Sequence, residues 1–315
     1  MSLTHNISQN HIFCFYGLMQ YYFPNYPDIS LDKILAVDFG TTNTTVFVVH
    51  NNKAEAIQID GHLSMLRSVV SYGNNGVLVG NAADKNRNFL LKASNVKRIA
   101  GLTYEEAASF KKDTFGCDVV DMFGQLAVKG VSRGVEVIKT VEEVIIDIFK
   151  YIKHTVENKY GTEFNYLVLT VPSTYRSTQK KVIRSAAIKA GFDVASMLSE
   201  PTAAGIHYRY VNFVSSSSTF LVFDFGGGTL DLSLVSCIGN KFEVLANGGN
   251  SHLGGADVDN KILSWIEECY IQDGNDSLHL NSREMRALKQ AIEQKKQELS
   301  EKETTEIEVT EESKH

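Results

Sequence analysis

The chain has 315 residues, enough for about two domains of roughly 150 residues each, and 43% of them are apolar when tyrosine and cysteine are counted. This composition excludes a disordered or collagen-like polypeptide. The net charge of −6, from 37 acidic and 31 basic residues, provides no global field to hold a polyanion and argues against nucleic acid as a partner. The four cysteines form no CxxC pair, which argues against a disulfide framework or zinc knuckle and favours a reducing, cytoplasmic compartment.

Residues 1–30 precede the first predicted strand and are interpreted as an N-terminal appendage. Their apolar run, His11–Phe23, is interrupted by Gln20 and is shorter than the ~18 residues of a membrane span, so no membrane association is predicted. No basic region precedes this run, and Pro24 follows it in place of a small-residue cleavage site. We expect the appendage to pack on the domain or on a partner, with a targeting signal as the alternative.

The next part of the chain, up to residue 215, alternates short strands with helices. Apolar, β-branched runs around a Gly/Thr/Asn turn predict a hairpin, and apolar residues at three- and four-residue intervals predict helices. The predicted elements are a hairpin over Ile34–His50, strands at Lys53–Ile59 and Ser68–Ser71, helical structure between Asn86 and Phe110, an amphipathic helix over Val135–Lys159, a strand over Tyr166–Val171 and a helix from Ser177 to Ala190.

A polar run, Ser215–Ser218, predicts a boundary between two lobes, with lobe I over residues 31–215 and lobe II over residues 216–315. Lobe II begins with a second hairpin and continues with helices. Its predicted elements are a hairpin over Phe220–Leu234, a strand over Lys241–Ala246, helices over Ala256–Cys269 and Asn281–Leu299, and a last strand over Thr305–Val309.

An internal repeat decides the predicted architecture. Leu35–Val49 and Leu221–Val235 align so that Asp38 superposes on Asp224, each within an Asp-Phe-Gly sequence between an apolar strand and a small-residue turn. The matching flanks argue against chance recurrence. We therefore expect two similar lobes that face one site.

The two turns have the composition of phosphate-binding loops. A backbone that wraps a phosphate presents several N–H groups, which requires residues without an obstructing Cβ. Gly40–Asn43 and Gly226–Thr229 both meet this requirement. Each turn follows an aspartate at a strand end, and two carboxylates from opposite lobes could hold one hydrated Mg²⁺ beside the phosphates. The pattern predicts a clamp for the phosphates of a nucleotide.

Six ordered motifs resemble the actin-like ATPase superfamily and, within it, the ATPase domain of the seventy-kilodalton heat-shock (Hsp70) chaperones. The resemblance covers roughly residues 33–310 and implies an α/β fold of two actin-like, ribonuclease H-like lobes, each a mixed five-stranded sheet with flanking helices. The motifs are Ala36–Val46, Val96–Gly101, Leu167–Phe192, Ser199–Tyr208, Phe223–Val235 and His252–Leu263.

On matching positions, the resemblance implies a site for ATP or ADP with Mg²⁺. Asp38 and Asp224 correspond to ligands of the metal's water shell. Lys97 corresponds to the lysine that positions the attacking water, Glu200 to a carboxylate that orders metal and water, and Asp231 to a proposed proton acceptor. The implied nucleotide contacts are Gly40, Thr41, Thr42, Asn43, Gly226, Gly227, Gly228, Thr229, Gly254, Gly255, Glu293, Lys296 and Ser300, with Thr229 also counted among the catalytic residues.

The sequence departs from the family pattern at identifiable places. Gln297 stands where the family has the arginine that stacks on adenine, so weaker base contact is expected. Arg176 and Ser177 replace an Asn-Asp pair near the site, and a J-domain cochaperone or nucleotide exchange factor is the protein partner that the resemblance implies. The chain ends at His315, before the family's peptide-binding domain, so we expect lobe II to be incomplete and no peptide binding by this chain.

Two alternatives stay open beside a chaperone-type ATPase. One is a catalytically impaired descendant that serves as a binding or regulatory module, which the replacement at Gln297 favours. The other is an actin-like filament protein, since bacterial members share the two hairpins, or a sugar-kinase relative, although no segment of lobe I can be assigned as an acceptor-binding insert. The segment Val96–Gly101 and the helix residues Ala291–Ser300 favour the chaperone branch.

Overall fold

The computed structural model describes residues 33–309 except 51–52, 75, 111–113, 133, 213–216, 240, 251 and 275–277, so the predicted appendage lies outside the described residues. The strands are β1 (Ile34–Phe39), β2 (Asn43–His50), β3 (Lys53–Ala56), β4 (Met65–Arg67), β5 (Val69–Gly73), β6 (Gly76–Val79), β7 (Leu91–Ser94), β8 (Asp118–Met122), β9 (Gln125–Ser132), β10 (Val135–Thr140), β11 (Tyr166–Val171), β12 (Asp193–Ser199), β13 (Ser218–Phe225), β14 (Leu230–Ile238) and β15 (Lys241–Asn250). The α-helices are α1 (Asn81–Lys85), α2 (Tyr104–Ala107), α3 (Val141–Tyr160), α4 (Ser177–Lys189), α5 (Glu200–Asn212), α6 (Gly255–Gln272) and α7 (Ser282–Glu298), and a 3₁₀ helix spans Val96–Ile99.

The largest sheet has the order β12-β11-β1-β2-β3, with β4 also pairing with β2. β1 pairs antiparallel with β2 and parallel with β11, and β11 pairs parallel with β12. Both faces of β1 are buried, because its apolar residues are covered by packing on each side. The sheet is mixed, as predicted for lobe I, but it has six strands in place of the predicted five, because β4 pairs with β2 beside β3.

Helix α3 begins later than predicted. The prediction of one helix from Val135 to Lys159 was wrong over its first six residues, because Val135–Thr140 pair with β9 as strand β10. The Thr140 side chain then accepts a hydrogen bond from the Glu143 N–H (3.1 Å), and the Glu143 carboxylate accepts one from the Thr140 N–H (2.8 Å). This capping box starts the helix after Thr140.

The prediction of helical structure between Asn86 and Phe110 was also wrong over most of this segment. Leu91–Ser94 form strand β7, which pairs with β5, and only Tyr104–Ala107 form an α-helix. Leu91 and Ala93 are buried and alternate with less buried neighbours, which is the period of a strand. Asn95 then adopts a left-handed backbone (φ 56°) before the 3₁₀ helix, which interrupts any continuous helix.

Lobe II contains a smaller sheet, β13-β14-β15, with antiparallel pairing throughout. The resemblance implied a mixed five-stranded sheet that is incomplete in this lobe; three strands are present among its described residues, and residues 305–309, predicted as a last strand, are not a strand. Helix α5 follows β12 of the large sheet and packs on the smaller one, where the Phe220 and Phe242 rings lie so close to Gly205 that a Cβ there would meet the Phe220 ring at 2.7 Å.

The two repeat hairpins have the predicted common form. In each, the aspartate is the last residue but one of the first strand, and the second strand returns antiparallel across a short turn. Asp38 pairs in register with Thr45, and Asp224 with Asp231. The arrangement places two aspartates and two small-residue turns at one place between the sheets. The boundary at residues 215 and 216 stays a prediction.

Candidate functional site

A cleft of about 1370 Å³ lies between the two hairpins and is lined by both turns. It contains nearly all the residues that the sequence predicted for the site. Those that line it are Asp38, Gly40, Thr41, Thr42, Asn43, Lys97, Glu200, Asp224, Gly226, Gly227, Gly228, Thr229, Asp231, Gly255, Glu293 and Lys296. Gly254 lies directly behind the turn, since a Cβ there would be 2.5 Å from the Gly228 nitrogen. Ser300 is not among the lining residues.

A buried ion pair lies in the cleft. The Lys97 ammonium donates to Glu200 Oε1 at 2.9 Å, and the side chains are 5% and 17% exposed. Burial, together with the charges of the nearby Asp38 and Asp224, raises the pKa of Glu200 to about 7 despite the attraction of Lys97. Burial lowers the pKa of Lys97, but Glu200, Tyr175 and Asp38 outweigh that effect and leave the pKa above its ordinary value. Lys97 is therefore charged at neutral pH, while Glu200 can exchange a proton there.

The aspartates of the two lobes, Asp38 and Asp224, line the same cleft as this pair. The Thr170 hydroxyl donates to Asp38 Oδ1 at 2.8 Å and orients it. On the other side of the cleft, the Thr174 hydroxyl donates to Asp231 Oδ1 at 3.3 Å. Asp231 is buried and lines the cleft.

The lobe II turn is held from behind by the start of α6. Gly226 N–H donates to the Thr229 carbonyl (2.9 Å), while Gly255 and Ala256 N–H groups donate to the Gly226 and Gly227 carbonyls (3.0 and 2.9 Å). In a trans peptide the C=O and the following N–H point in opposite directions. The N–H groups of Gly227 and Gly228 therefore point away from α6.

The residues present fit a phosphate group. Thr42 Oγ1 is buried and has no hydrogen-bond partner among the described residues. A Cβ on Gly227 would lie 2.2 Å from that oxygen, and one on Gly40 would lie 2.1 Å from the Asn43 carbonyl oxygen, so both turns require glycine there. Mg²⁺ bound with a nucleotide prefers few protein oxygens together with waters and phosphates, and Asp38 and Asp224 are suitable donors.

The far end of the cleft is formed by α7 and is closed by ion pairs. Arg67 on β4 forms a two-pronged pair with the Glu293 carboxylate, at 2.7 and 3.1 Å. Lys296 contacts Asp259 Oδ1 at 2.7 Å and donates to the Gly255 carbonyl at 2.9 Å. Glu293 and Lys296, the residues predicted to contact ribose and base, are thus both engaged by protein groups.

Comparison with known proteins agrees with this geometry. The family model described as Hsp70 protein matches residues 34–315. The chain belongs to the Hsp70 family. Its similar relatives include the chaperone protein DnaK of Ureaplasma urealyticum, 34% identical over 278 residues (87% of this chain, 41% of the relative), and a heat shock 70 kDa protein of Neurospora crassa, 32% identical over 281 residues (87% and 43%). The chain thus spans about two fifths of the length of these relatives.

Several residues of this Hsp70 site were not predicted from the sequence. Arg67 and Arg98 line the cleft and contact lobe II, and the Tyr175 hydroxyl donates to the Lys97 carbonyl at 2.8 Å. Both Arg98 and Tyr175 lie inside motifs of the family resemblance. Arg98 directly follows Lys97 and Tyr175 lies three residues after Pro172, so these positions could have indicated that both residues belong to the site. Arg67 offers no local signal, because its partner lies 226 residues away.

Two further structural observations concern the described residues of this Hsp70 chain. None of their helices is long and apolar enough to cross a membrane. Cys117, Cys237 and Cys269, the cysteines among the described residues, are free thiols.

Proposed function

We propose that this chain is an Hsp70-type chaperone ATPase domain that binds Mg²⁺-ATP or Mg²⁺-ADP between its lobes and hydrolyses ATP to ADP and phosphate. The observation that carries the proposal is the buried Lys97–Glu200 pair in a cleft between two aspartate-bearing hairpins. Membership of the Hsp70 family supports it.

Binding would use the two turns and the two aspartates. Thr41, Thr42 and the Gly226–Thr229 turn would contact the phosphates, and Asp38 and Asp224 would hold Mg²⁺ through its waters. When bound, Mg²⁺ would neutralise phosphate charge. Phosphoryl transfer asks a protein mainly for positioning and charge stabilisation, which these groups can supply.

The buried residues would then position the attacking water. The Lys97 ammonium, fixed by Glu200 at 2.9 Å, would orient the water and stabilise charge that develops on the phosphoryl oxygens. Asp231, held by the Thr174 hydroxyl, would accept the proton of that water. Thr229, at the end of the turn, would assist by contacting the phosphate.

The partners and setting of this chain follow from the family and are proposals too. We propose that the activity serves protein folding in the cytoplasm, together with a J-domain cochaperone or a nucleotide exchange factor. The relatives supporting this are named chaperone and heat shock proteins, and the free thiols suit a reducing compartment.

A second candidate is a nucleotide-binding module with impaired catalysis. One observation favours it. At the adenosine end, Glu293 is already paired with Arg67 and Lys296 with Asp259. Gln297, which lines the same end, lacks a cation that could stack on a base. In this case the cleft would still bind the phosphates of the nucleotide, but ATP hydrolysis would be slow.

Calorimetric titration with Mg²⁺-ATP and Mg²⁺-ADP, followed by single-turnover hydrolysis, separates these candidates. Binding with turnover that is lost in Asp224→Asn supports the ATPase. Binding without turnover supports the regulatory module. No binding by a chain with an intact thermal transition would overturn both, and nucleotide-dependent light scattering would support the filament alternative.

A further inference from the structure

Arg98 follows Lys97 on the 3₁₀ helix but contacts the opposite lobe. While Lys97 pairs with Glu200, the Arg98 Nη2 donates to the Gly228 carbonyl and to Asp257 Oδ2, the latter at 3.2 Å. The Arg98 side chain is only 5% exposed. Of these two consecutive residues of lobe I, Lys97 thus reaches Glu200 in the cleft, and Arg98 reaches the turn of lobe II.

Arg98 completes the backbone arrangement of the Gly226–Thr229 turn. The Gly226 and Gly227 carbonyls accept from α6, and Arg98 takes the third carbonyl, that of Gly228. By the geometry of the trans peptide, this orients the Thr229 N–H in the opposite direction, as the other two bonds orient the N–H groups of Gly227 and Gly228. Three carbonyls of the turn are held from behind, one of them from the other lobe.

Close packing of glycines fixes this contact. A Cβ on Gly228 would lie 2.4 Å from Arg98 Nε, and one on Gly254 would lie 2.5 Å from the Gly228 nitrogen. The Gly254 N–H also donates to Asp257 Oδ2 at 2.8 Å, the same oxygen that Arg98 contacts. Arg98, the turn and the start of α6 therefore form one tightly packed unit.

Aromatic contacts beside Arg98 also cross between the lobes. The guanidinium carbon lies 5.9 Å from the centre of the Phe110 ring, which stacks on the His252 ring at 4.6 Å with an interplanar angle of 22°. The Ser109 hydroxyl lies 3.4 Å from His252 Nε2. Because the Arg98 side chain is only 5% exposed, its charged hydrogen bonds form largely out of contact with water, which strengthens them.

We propose that Arg98 is a positioning residue of the ATPase site: it holds the phosphate turn of lobe II at the distance from Lys97 that hydrolysis requires. This inference rests on the proposed function. Because Lys97 and Arg98 share one short helix, a displacement of the turn relative to lobe I displaces it relative to Lys97 as well. Nucleotide affinity and the rate of hydrolysis then depend on the same guanidinium.

The expected effects distinguish the guanidinium's geometry from its charge. Arg98→Ala should weaken Mg²⁺-ATP binding about 10-fold and slow single-turnover hydrolysis about 10–100-fold, because a two-acceptor charged contact is lost. Arg98→Lys keeps the charge but not the planar fork, so it should restore affinity more than rate. Arg184→Ala, an exposed arginine on α4, is the matched control and should change neither.

Hydrogen exchange of the nucleotide-free protein tests the same idea without catalysis. In Arg98→Ala, the amides of residues 226–229 and 254–257 should exchange faster, while those of α3 stay unchanged. Unchanged exchange in the turn, with affinity within twofold of the parent chain, would overturn the proposal. If Arg98→Ala does not fold, Arg98→Lys is the deciding variant under the same criteria. If the parent chain does not bind Mg²⁺-ATP, the proposed function is wrong, and so is the claim that Arg98 supports hydrolysis. The hydrogen-exchange result tests separately whether Arg98 holds the Gly226–Thr229 turn.

Discussion

Replacing Lys97 by methionine tests the buried ion pair of the cleft with little change of side-chain volume. If the ammonium positions the attacking water, single-turnover hydrolysis should fall by about 10²–10⁴-fold, or about 2.7–5.4 kcal/mol of activation free energy. The affinity for Mg²⁺-ADP should stay within about threefold, because the turns and aspartates that contact the phosphates are unchanged.

The free energy of unfolding should respond much less than the rate. Removing one partner of a buried ion pair ordinarily costs about 3–5 kcal/mol, because the other charge remains buried. Glu200 can avoid this cost, since burial already raises its pKa to about 7. Without Lys97 its pKa rises further and the carboxyl is neutral at pH 7. Only the hydrogen bond is then lost, which is worth about 0.5–1.5 kcal/mol.

The assay combines single-turnover hydrolysis with urea unfolding of the nucleotide-free protein at pH 7. Lys153→Met is the matched control, because Lys153 pairs with Glu157 at 2.7 Å and donates to the Phe164 carbonyl, both away from the cleft. This variant should lose stability and keep its rate per folded molecule. A loss above about 3 kcal/mol in Lys97→Met, or a parallel loss of ADP affinity and rate, would refute the reasoning.

Three further outcomes are expected. Burial raises the pKa of Glu200 from 4.5 to about 7, so the stability that protonated Glu200 contributes is complete below pH 4.5. The free energy of unfolding should therefore fall by about 3 kcal/mol as the pH rises from 4.5 to 7. Glu200→Gln should flatten this dependence when urea unfolding is compared at pH 5 and pH 8. Gln297→Arg should tighten Mg²⁺-ATP binding by about 2–30-fold through a cation–π stack, with no change for Mg²⁺-triphosphate in parallel titrations. Phe149→Ala should cost about 3–5 kcal/mol in thermal unfolding, because the ring is fully buried and lies 5.2 Å from the Phe39 ring; a loss below ~1 kcal/mol would show that lobe I is not packed as described.

The elements that local chemistry dictates were predictable from the sequence. The two hairpins follow from β-branched runs around small-residue turns, and α4 follows from its apolar spacing and ends just before Gly191. The repeat placed Asp38 and Asp224 at equivalent strand ends, and the structure brings both to one cleft. These features depend on residues within a few positions of each other.

Other features depend on which elements pair with each other, and local periodicity did not predict them. Val135–Thr140 carry apolar side chains that suit either period, and pairing with β9 decides for a strand. The same is true of Leu91–Ser94, which pair with β5. Arg67 meets Glu293 and Arg98 meets Asp257 only after both lobes have formed, so neither contact leaves a signal in the local sequence.

The two ends of the cleft differ in how far the protein has prepared them for a ligand. At the phosphate end, the turn carbonyls are already held from behind, and Thr42 Oγ1 is buried against Gly227 without a hydrogen-bond partner among the described residues, so a phosphate that reached it would satisfy it without breaking a hydrogen bond. At the adenosine end, a nucleoside would have to displace Arg67 from Glu293 or Asp259 from Lys296. Replacing an ion pair within the protein by a neutral hydrogen bond to the nucleoside contributes little net free energy of binding. Affinity should therefore come mainly from the phosphates and Mg²⁺, and the preference for adenine over guanine should be small.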